Sequence, residues 1–251
     1  MSRAERSCLF AGFALLCLTP LFRTPLAWAG VAGMGACAVI ALVMRWPSAA
    51  RLSIVGAACE LVVYLPTNIP WPLTFLLGLL VLPLMARGLP WLRPAFPWLR
   101  RGVIDRTTIA LIAAIVLTSA TALIGWFVLF HPDVSDLRRM IPSMPLWAFP
   151  FAALAFASAN AVAEEAVYRG VVQEALDDAF GVSVAPLVLQ AIAFGCLHLR
   201  GFPRGIVGVG LAAIYGLMLG AVRRRSHGML APWIAHVFAD VTIFTILATQ
   251  V

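Results

Sequence analysis

The sequence predicts an all-α, polytopic integral membrane protein with about eight or nine transmembrane helices. Three observations carry that fold class. Of 251 residues, 62% are hydrophobic and 12% charged, where a soluble domain is roughly half apolar and a quarter charged. The mean hydropathy is +0.96, more apolar surface than a water-soluble fold can hide. The apolar residues form continuous runs, not the apolar/polar alternation of a membrane barrel.

Nine stretches are candidate spans: 8–22, 26–44, 52–65, 71–85, 108–130, 146–168, 182–197, 206–222 and 232–247. Only Arg3 and Arg6 precede the first, and no small-residue cleavage site follows it, so it reads as a retained span. The first, third and fourth fall short of the ~20 residues a full crossing takes. The third and fourth, separated by Pro66 and Pro70, are either two spans or a re-entrant pair. The segment from Pro90 to Arg106 is rich in Pro, Trp and Arg and reads as an interfacial loop. It divides the chain into residues 1–106, membrane helices of unassigned role whose one membrane charge is Glu60, and residues 107–251, which hold every candidate for chemistry between 164 and 240. No internal repeat is visible.

The 18 basic residues are all arginine, and the net charge is +7. They sit between the apolar runs, where topology places them, so nucleic acid is not the partner they imply. With the N-terminus cytoplasmic, alternation puts Arg45, Arg51, Arg87, Arg93, Arg100, Arg101, Arg106 and Arg223 to Arg225 inside with Arg3 and Arg6. Outside fall only Arg23, Arg138, Arg139, Arg200 and Arg204, as the positive-inside rule expects. The expected location is a bacterial inner membrane, with the bilayer as partner. Cys8, Cys17, Cys37, Cys59 and Cys196 are odd in number, have no CxxC and lie in or beside apolar runs. They signal neither a disulfide framework nor a thiolate zinc site.

The candidate chemistry begins with Glu164 and Glu165, adjacent carboxylates after a long apolar run. An acid at the centre of a membrane helix costs roughly 2.5–3.5 kcal/mol on insertion scales. Neighbours on a helix point about 100° apart, so the two face different partners. Glu165 and Arg169 are spaced i,i+4 and pair along the helix, leaving Glu164 free for a cavity, with Tyr168 one turn below. The bland alternative is a helix end at the interface, since Arg169-Gly170 and then Glu174, Asp177 and Asp178 follow. His198 ends an apolar helix; alone it reads as a hydrogen-bonded interface residue. His236 and Asp240, i,i+4 in mid-span, share one face and should line the bundle interior. Glu60 reads as a cavity lining or a neutral acid, and His131 and His227 as solvated loop residues. Gly216 and Gly220 form a GxxxG step that lets helices approach.

Three helices thus bring Glu, His, and His with Asp. A carboxylate beside an imidazole can take a proton from water, and a second imidazole with a polar neighbour can stabilise the oxyanion of amide attack. The same set suits Zn²⁺ held by Glu164, His198 and His236, with a water position open. Spacing does not separate the two. A proton-coupled transporter using the charges as a relay and a non-catalytic scaffold are the rival readings.

The ordered set Glu164-Glu165-x-x-x-Arg169, Phe194-x-x-x-His198 and His236-x-x-x-Asp240 resembles that of the CPBP intramembrane proteases, which include the type II CAAX prenyl endopeptidases. Residues 214–220 resemble that family's glycine-bearing helix, and 226–236 its approach to the last motif, so the resemblance covers 146–247. It implies a glutamic-type intramembrane endopeptidase acting on a membrane protein or peptide. Water activation then falls on Glu164 and His198, oxyanion stabilisation on His236 and Asp240, and support on Glu165 and Arg169. No cofactor is favoured in that reading; zinc is the alternative. The family's last position is often Asn, and here it is Asp240. An ionised Asp repels an oxyanion, so Asp240 is protonated, or orients and charges His236, or is a ligand.

Overall fold

The computed structural model describes residues 1–22, 25–65, 69, 71–93 and 100–249. Arg23, Pro66, Pro70 and the middle of the expected interfacial loop, 94–99, lie outside the described residues. The described chain is helical throughout, with no strand. Its helices are α1 (Arg3–Leu18), α2 (Leu26–Val43), α3 (Pro47–Tyr64), α4 (Leu73–Gly88), α5 (Arg106–Phe130), α6 (Ser135–Arg138), α7 (Phe149–Glu165), α8 (Gln173–Phe180), α9 (Val184–Leu197), α10 (Gly205–Ser226) and α11 (Leu230–Ala248).

All nine apolar stretches are helical. Among the described residues, six helices are long and apolar enough to cross a membrane, while Leu73–Gly88 and Val184–Leu197 are apolar but shorter. The chain is an integral membrane protein. Local signals set the boundaries. The Ser2 hydroxyl accepts the Glu5 amide at the start of α1 (3.1 Å). Asp105 accepts the Thr108 amide and hydroxyl at the start of α5, both at 2.8 Å. Pro47 opens α3, where a missing N–H is harmless. This starts α3 five residues before the apolar run at Leu52, because Arg51 pairs with Asp178 at 3.1 Å rather than ending the helix.

One expectation fails at the sixth span. Arg169-Gly170 does not mark a helix end at the surface. A π-helical turn, Ala166–Val172, carries α7 directly into α8, and Arg169 is 0% exposed. The charge is answered inside the protein, so it does not need water.

Helices α1 to α4 pack in sequence, and their apolar core is continuous with the middle of the chain, from Leu9 and Met34 through Phe75 to Val167, Tyr168 and Phe194. Helix α9 lies along α10, α7 along α11, and α11 also against α5. The α9–α10 approach is close: a Cβ on Gly195 would strike the Val209 carbonyl, and one on Gly216 would crowd Ala191 and Phe194. The glycine step is thus a packing seam, as expected.

Polar contacts divide the connections into two ends. At one, Arg223 meets Glu174 and Asp177, Arg224 meets Asp177, Arg225 meets Asp105 (2.7 Å), and the Val103 amide donates to the Ser226 carbonyl (2.7 Å). At the other, Arg200 donates to the carbonyls of Phe22 (2.8 Å) and Leu21 (3.3 Å), while Arg204 reaches Asp136 (3.0 Å) and the Asp133 carbonyl (2.6 Å). These groupings are the ones that alternating spans require.

Candidate active site

The carboxylates at the end of α7 are both buried, Glu164 at 4% and Glu165 at 1% exposed. They have diverged as the helix geometry requires. Glu165 Oε1 meets Arg169 Nη1 at 2.9 Å and His236 Nδ1 at 2.7 Å. Glu164 turns the other way, into a cavity of about 610 Å³ whose wall also includes His198, His236 and Asp240. Its Oε2 is buried without a hydrogen-bond partner among the described residues.

Arg169 is held on three sides. Besides Glu165, its Nη2 lies 3.4 Å from the Gly216 carbonyl, and its guanidinium carbon sits 4.4 Å above the centre of the Phe194 ring. A desolvated cation over an aromatic face is a favourable arrangement. Phe194 in turn packs edge-on to Tyr168 (5.2 Å between centroids) and to His236 (5.9 Å), and tilted against His198 (4.6 Å). It is the common wall of the site.

The two histidines are fixed differently. His198 caps α9, and its Nδ1 is 2.9 Å from the Phe194 carbonyl. A carbonyl only accepts, so Nδ1 carries the proton and Nε2 keeps its lone pair in the neutral ring. His236 is held through Nδ1 by Glu165, and Nε2 faces Glu164 Oε2 at 3.5 Å and Asp240 Oδ1 at 3.8 Å. Nε2 is thus the ring atom turned toward both cavity carboxylates.

Sequence reasoning missed two participants. Asn160, one turn before Glu164 on α7, donates from Nδ2 to Asp240 Oδ2 at 3.0 Å, and its Oδ1 accepts from Trp71 Nε1 at 2.5 Å. Asn160 was legible as a polar residue at i−4 from Glu164 within an apolar run. Trp71 carried no signal of its own. With Val63 it brings the N-terminal helices into the cavity wall. The remaining candidates stand apart: Glu60 is buried in α3 without entering the cavity lining, and His131 and His227 are exposed at the ends of α5 and α10.

Every residue of the motif set therefore comes to one place. Glu164, His198, His236 and Asp240 face the cavity, while Glu165 and Arg169 stand behind them. Among the described residues, no group of three or more His, Cys, Asp or Glu is arranged to hold a metal ion. A second cavity, about 460 Å³, approaches Glu165 from the opposite end and has Arg100, Arg101 and Trp233 in its wall.

No curated protein and no solved structure matches the chain. Residues 145–242, which hold all six of these side chains, match the family model described as type II CAAX prenyl endopeptidase Rce1-like.

Proposed function

We propose that the chain is an intramembrane endopeptidase that hydrolyses a peptide bond of a membrane-associated protein or peptide. The observation that carries this reading is Glu164 Oε2, which makes no hydrogen bond among the described residues, at the buried end of a cavity whose lining is mostly apolar; His236 Nε2 approaches it only to 3.5 Å. A carboxylate held there without a hydrogen bond is costly unless a ligand or water uses it. The family match over the same residues supports it.

In the proposed mechanism a water sits between Glu164 and His198. As the water attacks the scissile carbonyl, its proton passes to this pair, and Glu164 is the principal base. The oxyanion forms toward His236, working as the imidazolium: Nδ1–H donates to Glu165, and Nε2–H is the donor left for the developing charge. Glu165 and Arg169 keep the ring oriented. Asp240 serves His236 through its negative charge and is itself held by Asn160, which accommodates an acid where the family often has an amide. When the tetrahedral intermediate collapses, Glu164 returns its proton to the leaving amine. No cofactor enters this scheme.

The rival with an observation of its own is a proton-coupled transporter, because two cavities approach the Glu pair from opposite ends. One experiment separates the readings. Wild type and Glu164→Gln are purified in detergent, offered a library of membrane peptides, and assayed again with a strong chelator. Cleavage by wild type alone, unchanged by the chelator, is the expected result. Loss to chelator with recovery on zinc moves the chemistry to a metal at Glu164, His198 and His236. Equal cleavage by both proteins overturns the assignment of Glu164. A transporter shows ion-gradient dependence and no cleavage; a non-catalytic scaffold is indifferent to the substitution.

A further inference from the structure

We propose that the site is entered from the arginine-poor end of the bundle, so that its substrates are membrane-anchored polypeptides whose scissile segment reaches the buried carboxylate from the non-cytoplasmic side. The substrate class rests on the endopeptidase reading; the direction of access stands without it.

The cavity has a floor and a mouth that belong to different ends. The floor is Glu164 and His236. The mouth is built from the α5–α7 connection, with Met140 and Met144, and from the α9–α10 connection, with Arg200 and Gly201. Met140 is 55% exposed. These two connections belong to the end where Arg200 holds the α1–α2 connection and Arg204 holds residues 133–136. The helices agree. Helix α11 runs toward that end, and its contributions to the wall continue from His236 to Leu247, while α10 runs away from it and contributes no wall residue beyond Tyr215. Toward the other end, Glu165, Arg169, Ala163 and Ala235 are buried and outside the main cavity's wall, and the second cavity there reaches Glu165 but not Glu164.

Charge identifies the sides. Among the described residues, twelve arginines lie at the closed end (Arg3, Arg6, Arg45, Arg51, Arg87, Arg93, Arg100, Arg101, Arg106 and Arg223 to Arg225) and four at the open one (Arg138, Arg139, Arg200 and Arg204). Arginine in short loops marks the cytoplasmic face, so the mouth faces away from it. Depth then limits the substrate. Glu164 is fifteen residues into α7 from Phe149, about 22 Å at 1.5 Å per residue. An extended chain covering roughly 3.3 Å per residue spans that depth with about seven residues. Phe156, Leu211, Ile243 and Phe244 line the way, so those residues are apolar. A soluble cytoplasmic tail does not meet these requirements.

The test uses single added cysteines, with the wild type and its five native cysteines as the background. Met140→Cys reports the mouth, Ala239→Cys the cavity wall and Arg87→Cys the closed end. Each is treated with a small membrane-impermeant thiosulfonate in intact cells and after permeabilisation. Met140→Cys and Ala239→Cys are expected to react in intact cells, and Arg87→Cys only after permeabilisation. Leu211→Cys replaces the wall probe if Ala239→Cys does not fold. The reverse pattern, or a wall cysteine that reacts from neither side, overturns the proposal. A tethered reporter with seven apolar residues before its cleavage site is then displayed on either side. Cleavage on the cytoplasmic side alone also overturns it. Failure to cleave either reporter, with the labelling as expected, overturns the endopeptidase reading and leaves the access route standing.

Discussion

Helices α1 to α4 and helices α7 to α11 are both apolar bundles, yet they handle polarity in opposite ways. The first region is joined by apolar and small-residue packing, with Gly12 against Ser53 and Gly78 against the backbone of Cys59. Among the described residues its buried charges are Glu5, in the first turn of α1, and Glu60, within α3. The second buries Glu164, Glu165, Arg169, His236 and Asp240 around one point, each 4% exposed or less. Nothing about spanning a bilayer requires that cluster. In the first region hydrophobicity explains the residues. In the second the residues oppose hydrophobicity, and that opposition is what marks a site.

The sharpest way to break the comparison is to disable the site without touching the fold. Glu164→Gln keeps shape and volume and removes the proposed base. Turnover is expected to fall by 10²–10⁴, the usual worth of a positioned acid–base group, with the melting temperature unchanged within a few degrees. Glu60→Gln makes the same chemical change in the other region and should leave turnover unaltered. Matched product-formation assays on the two variants give the contrast; equal losses would place Glu60 in the chemistry and dissolve the distinction.

The next largest effect concerns stability. Glu165→Ala leaves Arg169 charged, buried and without its partner. Breaking a buried pair from one side typically costs about 3–5 kcal/mol. Replacing both members, Glu165→Met with Arg169→Met, removes the stranded charge and should be less destabilising than either single change, measured by thermal unfolding in detergent. If the double variant is instead the weaker by the sum of the singles, the pair is not a structural unit. Activity is expected to be lost in Glu165→Ala and in the double variant, because His236 loses the acceptor on Nδ1, and to fall less in Arg169→Met, which keeps that acceptor.

The two regions were also unequally legible in the sequence. Continuous apolar runs announced the helices of both, because a bilayer leaves the backbone few alternatives. Helix ends were read less well. Arg51 and Arg169 looked like boundaries and are interior to helices, because each finds a partner, Asp178 and Glu165, that a hydropathy window does not weigh. At the site, Glu164, His198, His236 and Asp240 were visible because each opposes its surroundings. Phe194 was visible only as a motif letter. Its place between Arg169, His198 and His236 arises from packing across three helices. Asn160 and Trp71 were invisible as a pair, since 89 residues separate them and the hydrogen bond joining them exists only in the folded bundle.

That pair gives an intermediate prediction. Asn160→Leu strands both Asp240 Oδ2 and Trp71 Nε1, and leaving a buried polar atom unsatisfied costs about 1–3 kcal/mol. The pH profile of turnover should also shift, because Asp240 loses its one neutral donor among the described residues. Trp71→Phe removes only the first link and should lower stability less while keeping the profile. A pH profile identical to wild type in Asn160→Leu would confine Asn160 to packing.

The smallest expected effect lies outside both regions, where α5 begins. The Thr108 amide and hydroxyl, with Arg225 beside them, hold the Asp105 carboxyl down at about 2, below the ~3.9 of a free aspartate. A group lowered on folding contributes stability above its unfolded value and loses it as the pH falls toward the folded one. Asp105→Ala should therefore melt slightly below wild type at neutral pH, with the difference shrinking between about pH 4 and pH 2. Salt should shrink it too, because Asp105 and Arg225 are exposed and screened. Removing a cap at the closed end leaves the cavity at the open end untouched, so turnover stays at the wild-type rate. A loss of activity in this variant would show that the connection joining Asp105 to Arg225, which also carries the Val103–Ser226 hydrogen bond, transmits strain to α10 and from there to Tyr215 in the cavity wall.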